Sequence, residues 1–249
     1  MGARGAHGAQ SMSGFKRTND SGVLVHSGDP SCDSAHEALL SALKKMGTAF
    51  IGTGETISHS QTGNLGEFIS LHIGRNGSFA NHQRFAHNAI QPLTRISGAG
   101  IDLMYVYLDP NDENNDLLYI QEIKTTGQQS LNYFNALEKD YKKLFSTNLN
   151  LTLQSRINFL ANSFEIERDN EDHARRVQKL GARRPELCTN VRLVPTGLHE
   201  AGVGDPVKKM LAVRTAIAAF GWQPSAISPW TIGLTDLEDR LLRLARGEP

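Results

Sequence analysis

The sequence predicts an α/β fold, a mixed central β-sheet flanked by helices, and three observations carry that expectation. Two runs rich in branched and aromatic residues, Ile101–Leu108 and Leu117–Lys124, are joined by Asp-Pro-Asn-Asp-Glu-Asn-Asn-Asp, all turn formers and charge; this is the pattern of a long β-hairpin. Segments on either side of it repeat apolar residues at helical spacing. Strand and helix signals then alternate through the C-terminal third, with no internal repeat and no evident linker. The expected organisation is a flexible tail over residues 1–21, rich in Gly, Ala and Ser, and a single domain over residues 22–249.

Taken in order, Gly22-Val-Leu-Val-His26 is a short candidate strand. Ser34 and Glu37 form a capping box for a helix ending near Met46, with Leu39, Leu40, Leu43 and Met46 as its buried stripe. Gly47–Ser60 reads as a loop. A helix over Gln61–Ile73 follows, apolar at Leu65, Phe68, Ile69 and Ile73, with Glu67 roughly opposite that stripe. Gly74–Ser97 is polar, and Gly98 and Gly100 permit close backbone approach just before the hairpin. After the hairpin, Ser130 opens a helix bearing Leu131, Phe134, Leu137, Tyr141, Leu144 and Phe145 on one side. Leu151–Leu180 reads as helical, with Leu153, Ile157, Leu160 and Phe164 at core spacing and a charged stretch from Glu165. Cys188–Pro195 is a further strand. Asp205 and Pro206 start a helix, Ala226–Leu234 is a strand, and Thr235 with Glu238 caps a last helix with a Leu237, Leu241, Leu244, Ala245 seam.

Composition removes several function classes. Lys plus Arg and Asp plus Glu both number 26, so no overall field draws the chain onto nucleic acid, and any such contact needs local basic patches. The two cysteines, Cys32 and Cys188, set no disulfide or zinc pattern, and His72, His82 and His87 lack metal spacing. No apolar run is long enough to span a membrane, which leads to the expectation of a soluble, cytoplasmic protein without membrane association. Neither a Walker lysine loop nor a Gly-x-Gly-x-x-Gly between strand and helix is present.

The hairpin carries the chemistry. Side chains alternate along a strand, so Glu122 and Lys124 share a face and Ile123 points the other way. Folding back about the turn sets Asp102 across from Glu122 in one register and from Lys124 in the next permitted one. Either register gathers two carboxylates and an ammonium. Close carboxylates repel and favour a divalent cation, and Mg²⁺ prefers oxygen ligands. An ion so held acidifies water and neutralises a phosphate, while a lysine stabilises developing charge.

Gly-Ile-Asp102 followed by Gln-Glu122-Ile-Lys124 resembles the core motif of the PD-(D/E)xK nuclease superfamily, over roughly Asn64–Phe145; Ile101 stands where the motif's name has Pro. The resemblance implies a restriction-endonuclease-like fold with a C-terminal strand–helix elaboration, and a Mg²⁺-dependent DNA endonuclease activity that Mn²⁺ also supports. It implies Asp102 and Glu122 as metal ligands, Lys124 as the catalytic lysine, and Glu67, in Gly66-Glu67-Phe68, as a further ligand from the preceding helix. Glu55 is the lesser candidate for that role. A narrower resemblance is to the HamA nuclease subunits of Hachiman anti-phage defence systems. It rests on size, Leu65-Gly66-Glu67, Asp102, Glu122-Ile-Lys124 and the strand-then-helix C terminus, and it implies a helicase or other defence-system partner. For DNA contacts the candidates are Lys139, Lys142 and Lys143 on the post-hairpin helix, and Arg175, Arg176, Arg183 and Arg184, the densest basic cluster. The competing reading is a non-catalytic, nuclease-like module that binds DNA or protein.

Overall fold

A computed structural model of the chain describes residues 15–17, 24–26, 56–76, 87–90, 101–144, 154, 156–162, 164, 171–181 and 190–248. Seven strands form one mixed sheet: β1 (Phe15–Arg17), β2 (Leu24–His26), β3 (His87–Ile90), β4 (Leu103–Tyr107), β5 (Leu117–Thr126), β6 (Val191–Glu200) and β7 (Trp230–Leu234). Their spatial order is β1-β2-β7-β6-β5-β4-β3. The β3–β4–β5 meander is antiparallel, β5, β6, β7 and β2 run parallel, and β1 closes the far edge antiparallel. The α/β class with a helix-flanked mixed sheet is thus observed. β1 lies inside the segment expected to be a tail, and β3 inside the polar stretch before the hairpin. Both are too short to show a period in the sequence.

Among the described residues, five helices accompany the sheet: α1 (His59–Asn76), α2 (Asn135–Leu144), α3 (Glu171–Gly181), α4 (Pro206–Ala218) and α5 (Leu237–Arg246). Residues 156–162 are helical as well. Strand alternation divides the core into two layers. Met104, Val106, Leu118 and Ile120 pack with Leu137 and Tyr141 of α2, Ile157 and Leu160, Val177 of α3, and Met210, Val213 and Ile217 of α4. Leu103, Tyr105, Tyr119 and Ile123 face the other way, onto Leu65, Phe68 and Ile69 of α1 and Leu237, Leu241 and Leu244 of α5. Both parallel crossovers, β5 to β6 and β6 to β7, therefore lay their helices over the face that carries Glu122 and Lys124.

Local chemistry accounts for most boundaries. Ser58 Oγ accepts from Gln61 N–H at 3.2 Å while Gln61 Oε1 accepts from Ser58 N–H at 2.8 Å, a reciprocal cap that starts α1 ahead of the expected Gln61. Asp205 Oδ1 accepts from Lys208 N–H at 2.9 Å, with Pro206 in the first turn, so α4 begins as expected. The cap of α5 corrects the sequence reading. Neither Thr235 nor Glu238 supplies it; the Glu200 carboxylate, from the end of β6, accepts from Asp236 N–H at 2.9 Å and Leu237 N–H at 2.7 Å. A long-range anion thus meets the free donors and the positive end of the helix. β6 also runs past Pro195, where the sequence ends the strand, because β7 begins to pair only at Thr196. The helix expected over Ser34–Met46, Gly98, Gly100 and Glu55 lie outside the described residues. Among the described residues no helix is long and apolar enough to cross a membrane.

The turn of the hairpin is clasped by α3. Arg176 donates to Asp109 O at 2.7 Å and to Asp116 Oδ2 at 2.8 Å, and pairs with Asp116 Oδ1 as well. Its side chain is 10% exposed and that of Asp116 3%. Outside this pair, Glu113 receives Arg175 at 2.9 Å and Lys179 at 2.8 Å, which together hold its carboxyl down at about 2. Removing one partner of a buried pair leaves the other charged and unpaired, at a cost of about 3–5 kcal/mol. Arg176→Ala is therefore expected to lower the unfolding free energy by about 3 kcal/mol in urea titration, with Arg175→Ala having a much smaller effect because its pairs are exposed to solvent.

Candidate active site

The site forms where β4 begins and β5 ends. Leu103 pairs with Gln121, which fixes the first of the two registers allowed by the sequence and sets Asp102 beside Glu122. Asp102 precedes the strand at a bend, and its Oδ2 accepts from Ile123 N–H at 2.6 Å. The Glu122 carboxyl lies close enough to interact with it directly. Glu122 is buried, and its backbone is held by Tyr141 of α2, whose hydroxyl accepts from Glu122 N–H at 3.2 Å and donates to Ile120 O at 3.0 Å. On the same face, Lys124 Nζ lies 2.6 Å from Asp140 Oδ2, also on α2.

Glu67 enters from the opposite layer. Its neighbour Gly66 lets α1 lie directly on β5: a Cβ there would stand 1.8 Å from Thr125 Oγ1 and 3.0 Å from Thr125 Cβ. Only glycine tolerates that approach. The Tyr105 hydroxyl donates to Ser70 O at 3.4 Å and ties α1 to β4 as well. So seated, Glu67 is in electrostatic reach of Asp102, Lys124 and Arg156.

The electrostatics are those of a crowded, partly dry carboxylate cluster. Burial, then the Asp102 charge, pushes the Glu67 carboxyl from 4.5 to about 8. Burial raises Asp102 too, against the pull of Lys124 and the Ile123 N–H. Glu122 is raised well above its ordinary value by burial and then by Asp102. For Lys124, burial favours the neutral amine, but Asp102, Asp140 and Glu122 outweigh it and the ammonium is stabilised. Arg156, in the helical stretch 156–162, completes the set; burial lowers its pKa, while Glu122, Asp102 and Glu67 act to raise it.

Four carboxyl groups, Glu67, Asp102, Glu122 and Asp140, thus face two cations, Lys124 and Arg156, a surplus of two negative charges when all are ionised. Buried charge of one sign must be relieved by a proton or a counter-ion. Burial and mutual repulsion push Glu67, Asp102 and Glu122 toward the protonated form. An all-oxygen donor set with a negative surplus fits a hard divalent cation. Among the described residues, no three His, Cys, Asp or Glu side chains already stand at ligand spacing around one point.

The structure brings Glu67, Asp102, Glu122 and Lys124 together. It adds Asp140, Tyr141 and Arg156, which sequence reasoning left in or beside apolar stripes. Asp140 shares the spacing of Leu137, Tyr141 and Leu144, and Arg156 is one turn from Leu160, so a charge at a core-facing position was the available signal. The proposed DNA contacts are scattered. Lys139 is exposed, and Lys142 Nζ lies 5.5 Å from the centroid of the Phe220 ring. Arg175 and Arg176 are engaged with the hairpin turn, far along the strands from Glu122. The Lys143 side chain, Arg183 and Arg184 lie outside the described residues. Burial lowers the pKa of His199; its Nδ1 is 2.8 Å from Glu200 O and its Nε2 2.7 Å from Thr231 Oγ1.

No family model matches the chain, and no curated protein matches it in sequence.

A carboxyl whose folded pKa is raised keeps a proton that the unfolded chain has released, so stability falls as pH rises between the two values. For Glu67 that window runs from 4.5 to about 8. The metal-free protein is expected to lose Tm steadily across this range, and Glu67→Gln is expected to flatten the slope, as read by thermal melts at a series of pH values with chelator present.

Proposed function

We propose that the protein is a metal-dependent nuclease that hydrolyses DNA phosphodiester bonds, a member of the PD-(D/E)xK group. The observation that supports it most is the convergence of Glu67, Asp102, Glu122 and Lys124, from three separate elements, in one carboxylate-rich cluster. Asp102, Glu122 and Glu67 would hold Mg²⁺ or Mn²⁺. Such an ion, when bound, supplies a more acidic water and charge neutralisation at the phosphate.

The chain's own groups account for the rest. The raised carboxyls release their protons when a cation takes over the relief of charge, so affinity for the ion rises with pH. The Lys124 ammonium stays protonated, and as a donor it orients a water and stabilises charge on a phosphoryl oxygen. Arg156 offers a second positive group for the phosphate from the same layer as α2. The neutral net charge fits an enzyme that receives its substrate from another subunit, a helicase in the anti-phage systems the chain resembles. We assign it a role in such defence or in restriction on that resemblance.

One observation favours the alternative, a non-catalytic module: the Asp102 carboxylate is already engaged by the Ile123 N–H, at 2.6 Å. Plasmid cleavage separates the two. With Mg²⁺ or Mn²⁺, the protein, alone or with its partner, is expected to cut DNA, and chelator is expected to stop it. Asp102→Asn, Glu122→Gln and Lys124→Met are each expected to lower the rate at least about a hundred-fold, with Tm unchanged or raised for the two carboxamide variants and lowered for Lys124→Met, which leaves Asp140 without its partner. Absence of metal-dependent cleavage in both settings favours the binding module.

A further inference from the structure

We propose that Asp140 is a positioning residue: it holds the Lys124 ammonium clear of Asp102 and Glu122, so that these two carboxylates remain open to a cation. The inference deepens the nuclease reading and rests on it. Asp140 Oδ2 is 2.6 Å from Lys124 Nζ, and the two side chains are largely enclosed, 23% and 15% exposed. Glu122 shares the strand face of Lys124, and Asp102 is set beside Glu122 by the β4–β5 register. Three carboxyl groups thus surround one ammonium, and among the described residues Asp140 is the one in direct contact.

The anchor is rigid. Tyr141, the next residue, is fully buried and bonded to both Ile120 O and Glu122 N–H, and Leu137 one turn back is equally buried. The register of α2 on β5 is therefore fixed at the position beside Asp140. Lys124, by contrast, has a flexible four-carbon stem. Without Asp140 its ammonium has a short path to Asp102 and Glu122, and attraction across a poorly solvated gap is strong. Collapse there would place a monovalent cation where a divalent one has to bind. Holding the lysine aside, within reach of a substrate phosphate, keeps the carboxylates available.

Calorimetric titration of Mn²⁺ into the full chain tests this with four proteins: wild type, Asp140→Asn, Lys124→Met and the double variant, each checked for folding by thermal melting. Asp140→Asn is expected to weaken Mn²⁺ binding about ten-fold in the wild-type background and less than about two-fold in the Lys124→Met background. Asp140→Glu is expected to stay within about two-fold of wild type. Should the Asn variant not fold, Asp140→Ser supplies the same uncharged arm. An equal loss in both backgrounds, or no loss at all, overturns the positioning role while leaving the nuclease reading intact. A wild-type protein that takes up no Mn²⁺ overturns both.

Discussion

The organising constraint is the burial of like charge. Glu67, Asp102 and Glu122 lie at one end of the β4–β5 ribbon, and each is pushed away from ionisation chiefly by its own desolvation. A fold selected for stability alone would place apolar residues here, since a buried unpaired carboxylate is among the costliest groups to accommodate. The surrounding structure compensates with Lys124, Arg156 and the Ile123 N–H. Such strain is expected where chemistry is done and unusual where packing alone is served.

Architecture decides which groups can share the burden. The β5-to-β6 crossover brings α2 and the helical stretch 156–162 over the sheet face of Glu122 and Lys124, which is why Asp140, Tyr141 and Arg156 come from the segment after the hairpin. α1 belongs to the other layer and reaches the site only because Gly66 has no side chain to hold it off Thr125. The two layers meet at the strand end where Asp102 leaves the ladder and spends its carboxylate on Ile123 N–H. Far along the ribbon, the Arg176–Asp116 pair fixes the hairpin turn and so the register that opposes Asp102 to Glu122.

Period-two alternation made the hairpin legible, and with it the shared face of Glu122 and Lys124. The register was not legible, because both options kept the same residues inside; it is the turn clasp and the neighbouring strands that select one. α1, α2 and α4 were legible from apolar spacing and caps. The cap of α5 was hidden because its donor groups are met by Glu200, from a strand far earlier in the chain. Asp140 and Arg156 were passed over for a related reason: a period identifies the face of a helix, and a charge on that face looks like an interruption until a partner across the layer is known. At Arg175 and Arg176 the local density of positive charge was legible, but the acidic turn that pairs with it was not.

Crystals soaked in Mn²⁺ and measured at the manganese absorption edge address the central claim most directly. An anomalous peak enclosed by Glu67, Asp102 and Glu122 is the predicted result. Well-diffracting, fully soaked crystals with no peak between those carboxyls would contradict the account.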